Sequence, residues 1–220
     1  ITYTYVSGGS TDEKDHAPYW SCNSHVCQDS KADCITRDHC DHCGDVFGEL
    51  GGHTIDITTG NCVICNEYIA VATVTDGTTT LHADTGENLS TAIKQLMDGG
   101  SRTLTVDLPG YDMITDVCSA VSDASAGEVR TVHLTVKGLT MIGEDTGFAR
   151  MTQLATLSLP DVTYLYEYAL RYTELERLEL TAEGAITLER DVIDQGYVSD
   201  LVLCCNKASA VTDGVTWNGY

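Results

Sequence analysis

Cysteine and histidine are the residues in this chain best suited to chemistry, and their spacing narrows what that chemistry is. Cys40-Asp41-His42-Cys43 and Cys62-Val63-Ile64-Cys65 are two C-x2-C pairs separated by eighteen residues. Two thiolates on one tight turn approach a single Zn²⁺ at about 2.3 Å, and a second such turn completes a tetrahedron. Gly44 and Asn66 follow the pairs and are residue types that adopt the positive φ these turns require. His39 and His53 can each replace a thiolate. The expected ligands are therefore Cys40, Cys43, Cys62, Cys65, His39 and His53, around a structural zinc. Cys22, Cys27 and Cys34, with His16 or His25, offer a second metal site or a disulfide, and their spacing does not choose. In an oxidising compartment the same sulfurs can pair instead, so zinc and a disulfide framework stand as alternatives.

Other chemistry has less to build on. Four sulfur ligands close a metal's shell, whereas a catalytic metal keeps a position open. No HExxH, GxSxG, P-loop or GxGxxG element occurs, so the chain reads as non-enzymatic. A secreted enzyme with an unrecognised active site is the alternative. Asp191 to Asp194 and Asp41 to Asp45 lack Ca²⁺-loop spacing and read as solvated charge. Asn88-Leu89-Ser90 is a glycosylation sequon, meaningful only in a eukaryotic secretory setting.

Thirty-three Asp and Glu against twelve Lys and Arg leave a net charge of −21. Such a field repels nucleic acid and anionic lipid, which also weighs against a zinc-ribbon regulator. No apolar run approaches the roughly 20 residues of a membrane-spanning helix.

The elements that must hold these groups follow from a change along the chain. Seven of ten cysteines and five of seven histidines lie in the first 65 residues, where aliphatic residues are sparse. A piece under about 70 residues with so little core needs staples to stay folded. Residues 1–66 are thus expected to form a Cys/His-rich module. Residues 67–100 read as a hairpin and helix: β-branched runs flank Asp76-Gly77, then Leu89, Ala92, Ile93, Leu96 and Met97 recur at helical spacing. Asp84 or Thr85 can cap that helix and Gly99-Gly100 can close it.

Residues 101–220 repeat. Leu-x-Leu-type strands begin at Val106, Leu134, Leu157, Leu178 and Leu201, in steps of 28, 23, 21 and 23, within the 20–29 residues of leucine-rich repeats. Three further columns agree between the strands. Ile142, Leu165 and Leu188 form one, Phe148-Ala149, Ala169-Leu170 and Val192-Ile193 the second, and Leu154, Leu175 and Val198 the third. Each unit exposes an apolar face it cannot bury alone, so neighbours must stack. The expected fold class is an α/β repeat, a short leucine-rich-repeat solenoid behind a metal- or disulfide-stapled module. Tyr164, Tyr166 and Tyr168 crowd one repeat and are candidate binding residues, sharing a side only if that segment is extended.

These columns, with Leu157-Ser-Leu-Pro-Asp-Val162 and Met141-Ile-Gly-Glu144, resemble the BspA-type leucine-rich repeat family over about residues 101–205. His53 with Cys62-x2-Cys65 is similar to a His, Cys-x2-Cys-Gly module found beside such repeats, Asn66 standing where that module has Gly. The resemblance implies a secreted or cell-surface protein that binds a protein or glycan, or associates with itself, and carries no catalytic machinery.

Overall fold

The computed structural model describes residues 3–6, 19–22, 25–26, 32–39, 46–143, 146–183 and 185–205. The chain forms two compact units, one of Ile1–Thr54 with Cys62–Tyr68 and one of Ile55–Asn61 with Ile69–Tyr220. In the first, β1 (Tyr3–Val6), β2 (Tyr19–Cys22) and β3 (His25–Val26) form an antiparallel sheet, and β4 (Arg37–His39) pairs antiparallel with β5 (Val46–Leu50).

The second unit opens with the hairpin of β6 (Ala72–Thr75) and β7 (Thr80–Ala83), turned at Asp76, whose carboxylate accepts from the N–H groups of Thr78 and Thr79. Helix α1 (Gly86–Asp98) follows, and its buried stripe is the one its spacing predicts: Leu89, Ala92, Ile93, Leu96 and Met97. The Thr85 hydroxyl accepts from the Asn88 N–H at 3.2 Å, satisfying one of the donors a helix start leaves open. Gly100, at φ +97°, ends the helix and lets the Ser101 N–H reach back to the Leu96 carbonyl.

Strand β8 (Thr103–Asp107) leads to a second helix, α2 (Ile114–Ala124), which buries Ile114, Val117, Cys118, Ala120 and Val121 and packs on α1. The expectation of one repeat type from Val106 onward is corrected here. The long first step of 28 residues is a helical crossover, and those five residues have helical spacing.

Strands β9 (Val132–Lys137), β11 (Leu154–Leu159), β13 (Glu174–Ala182) and β15 (Tyr197–Cys205) then join β8 in parallel. The sheet order is β15-β13-β11-β9-β8-β6-β7, antiparallel only at β6 and β7. Between the later strands run β10 (Met141–Ile142), β12 (Tyr164–Leu165) and β14 (Thr187–Leu188), a parallel sheet of their own. The result is a β-solenoid of about three turns, with helices α1 and α2 ahead of its coils.

Register makes the columns physical. Leu104, and not the expected Val106, is the partner of Leu134, because β8 pairs two residues earlier than the spacing suggests and Val106 faces Val136. Leu134, Leu157, Leu178 and Leu201 are then successive partners as expected, and so are Ile142, Leu165 and Leu188 across three strands. All but the edge residue Leu201 are buried, with Phe148, Ala169, Leu170 and Val192 beside them. Side chains alternate across a strand, so the opposite face carries Thr73, Thr75, Thr105, Thr135, Thr156 and Ser158. Coils also bond outside the strands. The Thr163 N–H donates to the Thr140 carbonyl at 2.9 Å, and the Thr187 N–H to that of Thr163 at 2.8 Å. Positive φ recurs at Gly147, Tyr168 and Asp191 in equivalent places of each coil's return bend, followed by a second such residue at Arg150, Tyr172 and Gln195.

The buried apolar cluster spans Ala72 to Val198, entirely within the second unit. No helix among the described residues is long and apolar enough to cross a membrane.

Two tests follow from this packing. Gly138 sits at φ +80°, and a Cβ there would lie 2.0 Å from the Leu108 carbonyl oxygen, whereas one at Gly127, φ +83°, would meet nothing within 4 Å. Gly138→Ala is expected to lower the urea midpoint well beyond Gly127→Ala, since both share the backbone strain and only the first adds a clash. Arg102 clamps Glu128 through two bonds of 2.9 and 2.6 Å. That guanidinium, then the Thr131 hydroxyl, hold the Glu128 carboxyl down at about 2. A depressed folded-state value contributes stability that is full above the ordinary value near 4.5 and is lost as pH falls toward about 2. Denaturation midpoints of Glu128→Gln should therefore fall less steeply than those of the parent across that window.

Candidate metal centre

Four side chains of the first unit converge: Cys34, His53, Cys62 and Cys65, whose ligand atoms all lie within 4.8 Å of one another. Cys34 Sγ is 3.5 Å from Cys62 Sγ, and Cys65 Sγ is 3.4 Å from His53 Nδ1. A tetrahedron with metal–sulfur bonds of about 2.3 Å has edges of about 3.7 Å, and these two separations come near that length. They lie close enough to hold a metal ion.

Local bonding explains how each is held. In Cys62–Cys65 the chain makes a tight turn: the Cys62 N–H donates to the Glu67 carbonyl at 2.7 Å and the Asn66 N–H to the Cys62 carbonyl at 2.9 Å. Asn66 closes it at φ +59°, a conformation Asn tolerates better than most residues. The Val63 N–H donates to the Thr54 carbonyl at 2.9 Å, which ties the turn to the residue after His53. Cys34 stands on a second turn, where the Asp33 carboxylate accepts from the N–H groups of Ile35 and Thr36 at 2.9 and 2.7 Å. Gly51 brings the two together. Its N–H donates to the Asp33 carbonyl at 2.8 Å, and a Cβ there would lie 2.5 Å from the Ala32 carbonyl oxygen.

Electrostatics separates the thiols. The backbone N–H of Cys65, then those of Ile64 and Thr54 and the His53 ring, draw Cys62 down to about 5 against the effect of burial. Desolvation, then the neighbouring Cys62 and Cys65 sulfurs, push Cys34 up to about 12. Three sulfurs this close cannot all ionise without a cation among them. A bound cation permits it, and thiolates are the forms that ligate. Cys62 is buried, Cys34 and Cys65 are half-buried and His53 is exposed, so the centre opens to solvent on the imidazole side.

Of the residues expected to bind metal, the structure unites Cys62, Cys65 and His53. Cys34, expected in a second metal site or a disulfide, is their fourth partner. Cys40 and Cys43 lie outside the described residues, as do Cys27 and His16. His39 lies in β4, and Cys22 and His25 are cross-strand partners in β2 and β3. Cys34, Cys62, Cys65 and Cys118 carry free thiols, and burial raises that of Cys118.

The tyrosines fall elsewhere. Tyr164 and Tyr166 have ring centroids 4.5 Å apart, and the Tyr164 hydroxyl donates to Glu189 at 2.6 Å. The strand stops at Leu165, and Tyr168 sits at φ +63° in the following bend with the Arg171 guanidinium 4.9 Å from its ring centre.

A test of the architecture leaves all four ligands in place. Gly51→Ala should lower the metal retained after dialysis and raise thiol reactivity, whereas Gly52→Ala, where a Cβ would meet nothing within 4 Å, should change neither. Equal behaviour of the two variants would count against the close approach as the positioning device. Comparison of this chain with protein-family models, curated proteins and solved structures gives no match.

Proposed function

We propose that the chain is a non-catalytic binding module of an extracellular or cell-surface protein, akin to the BspA-type leucine-rich repeat proteins, in which a zinc-stapled Cys/His unit accompanies a repeat solenoid. The observation that carries this reading is the two-sided sheet: aliphatic partners in register on one face, polar side chains repeated from strand to strand on the other. Stacked-repeat proteins offer such extended, rigid surfaces to macromolecules. The metal's role is structural, because three sulfurs and an imidazole fill a tetrahedral shell and leave no position for a reacting water.

Zinc suits this donor set best among common ions, since thiolate with imidazole in tetrahedral array is its characteristic environment. Elemental analysis with thiol counting tests it. One zinc per chain, with thiols that react only after chelation, is the expected result; no metal and oxidised sulfurs would overturn it. Chelation should also make the first unit protease-sensitive while the solenoid resists. The reason is that the core cluster lies wholly in the second unit, and Cys62 is the one buried apolar side chain described in the first.

A second reading, self-assembly, is favoured by β15. Among the described residues this nine-residue strand lies at the sheet edge, pairs with β13, and leaves Leu203 41% exposed. Unpaired strand edges template pairing with another chain. Light scattering over a range of concentrations separates the two: constant mass indicates a binding module, and mass that grows indicates an assembly subunit. Turnover of an activated ester that disappears in His133→Ala would overturn both in favour of an enzyme.

A further inference from the structure

The polar face of the seven-stranded sheet contains a cleft of about 210 Å³, with His133, Thr135, Thr156, Ser158, Arg177 and Glu179 among its walls. These residues belong to two rows fixed by register. Thr75, Thr105, Thr135 and Ser158 follow one another across four adjacent strands and lead to Glu179. In the neighbouring row Thr103, His133, Thr156 and Arg177 do the same. Adjacent strands lie about 4.8 Å apart, so hydroxyls recur at that interval across the strands.

The chemistry of the walls selects the occupant. A hydroxyl both donates and accepts, a guanidinium only donates and a carboxylate only accepts, so donors and acceptors are interleaved over the surface. That pattern matches a ligand with adjacent hydroxyls of its own. Charge narrows it further. Arg177, the cation of the cleft, is already compensated by Asp200, with Glu179 at 3.9 Å, and a chain of net charge −21 repels polyanions. A protein partner fits less well, because among the described residues no Trp, Tyr or Phe lines the cleft to serve as an anchor. An extended peptide would seek a sheet edge rather than a face. At about 210 Å³ the cleft is smaller than the roughly 300 Å³ at which drug-sized pockets begin. It has room for one sugar ring, and the hydroxyl rows continue beyond it.

We propose that this face binds a neutral, linear glycan lying across the strands, with one ring in the cleft against Arg177 and Glu179 and its neighbours on Thr105 and Thr135, the row ending at Thr75, whose hydroxyl donates to the Thr79 carbonyl at 2.8 Å. The inference rests on the binding-module reading and names its ligand class and site.

Native-gel affinity electrophoresis of the full chain tests it, with laminarin, hydroxyethylcellulose, yeast mannan or dextran cast in the gel and polygalacturonate as the anionic comparator. At least one neutral polysaccharide should retard the protein, and polygalacturonate should not. Thr135→Val is close in shape and favourable in a strand, so it removes hydroxyl bonding without threatening the fold. It should weaken retardation roughly tenfold, as should Ser158→Ala and Arg177→Gln, the loss of one polar contact each. Met141→Ala, exposed on β10 of the other sheet, should leave it unchanged. Absence of retardation by all four neutral polymers overturns the proposal, as does retardation equal with polygalacturonate or unaltered in all three cleft variants. Reducing ends are assayed in the same mixtures. Their release would overturn the non-catalytic reading while leaving the glycan site standing, whereas no retardation without release would sink the glycan site alone.

Discussion

The solenoid rests on one constraint: a coil of this chain cannot bury its own leucines. Leu157 is covered because Leu134 and Leu178 stand directly beside it in parallel register. Each is covered by its neighbours in the same way, until Leu201 at the edge is only partly so. Burial of a leucine contributes about 1.5–3 kcal/mol, so a coil loses stability as soon as its neighbour is displaced. Helices α1 and α2 meet the same requirement at the start of the array. There they supply the apolar cover, with Ile93, Met97, Val117 and Val121 in the common cluster.

The first unit solves its folding problem differently. Its described side chains add nothing to the apolar cluster, and beside its short strand pairs the metal centre is ordered by turns: the Asp33 carboxylate over two N–H groups, the Cys62 turn closed by Asn66, and Gly51 against Ala32. Such contacts are individually weak. Their combined effect is to hold three sulfurs and an imidazole where a single cation can tie them, and a bound metal then contributes its affinity to the folded state alone.

What was legible in the sequence was what rests on period and local caps. The columns Ile142–Leu165–Leu188 and Leu154–Leu175–Val198 are spaced by the coil length, and helix α1 announced itself through Thr85 and Gly99-Gly100. Helix α2 was hidden by its place between two Leu-x-Leu strands, although Ile114, Val117, Cys118 and Val121 have helical spacing. Cys34 could not be assigned to the cluster from spacing, because what brings it there is a backbone approach between Gly51 and Ala32, far apart in sequence. The dipeptide Gly51-Gly52 was the available hint, and it signals a turn without naming what approaches it. The hydroxyl rows were also missed: Thr73-x-Thr75, Thr103-x-Thr105 and Thr156-x-Ser158 each look like ordinary half-exposed strands, and only register aligns them.

The left-handed bends at Gly147, Tyr168 and Asp191 occupy equivalent places in successive coils, and only one of them is glycine. Each coil thus begins and ends with the same backbone direction, whatever side chain sits at the bend. Length variation in this array is accordingly restricted, and the coils differ among themselves by two residues, with steps of 23, 21 and 23 that keep each strand's alternation. Gain or loss of an entire coil brings together surfaces that already match, while one inserted residue inverts the alternation of a strand and turns its leucines outward. A whole coil can thus be added or removed and its outward side chains exchanged, provided the bend is kept.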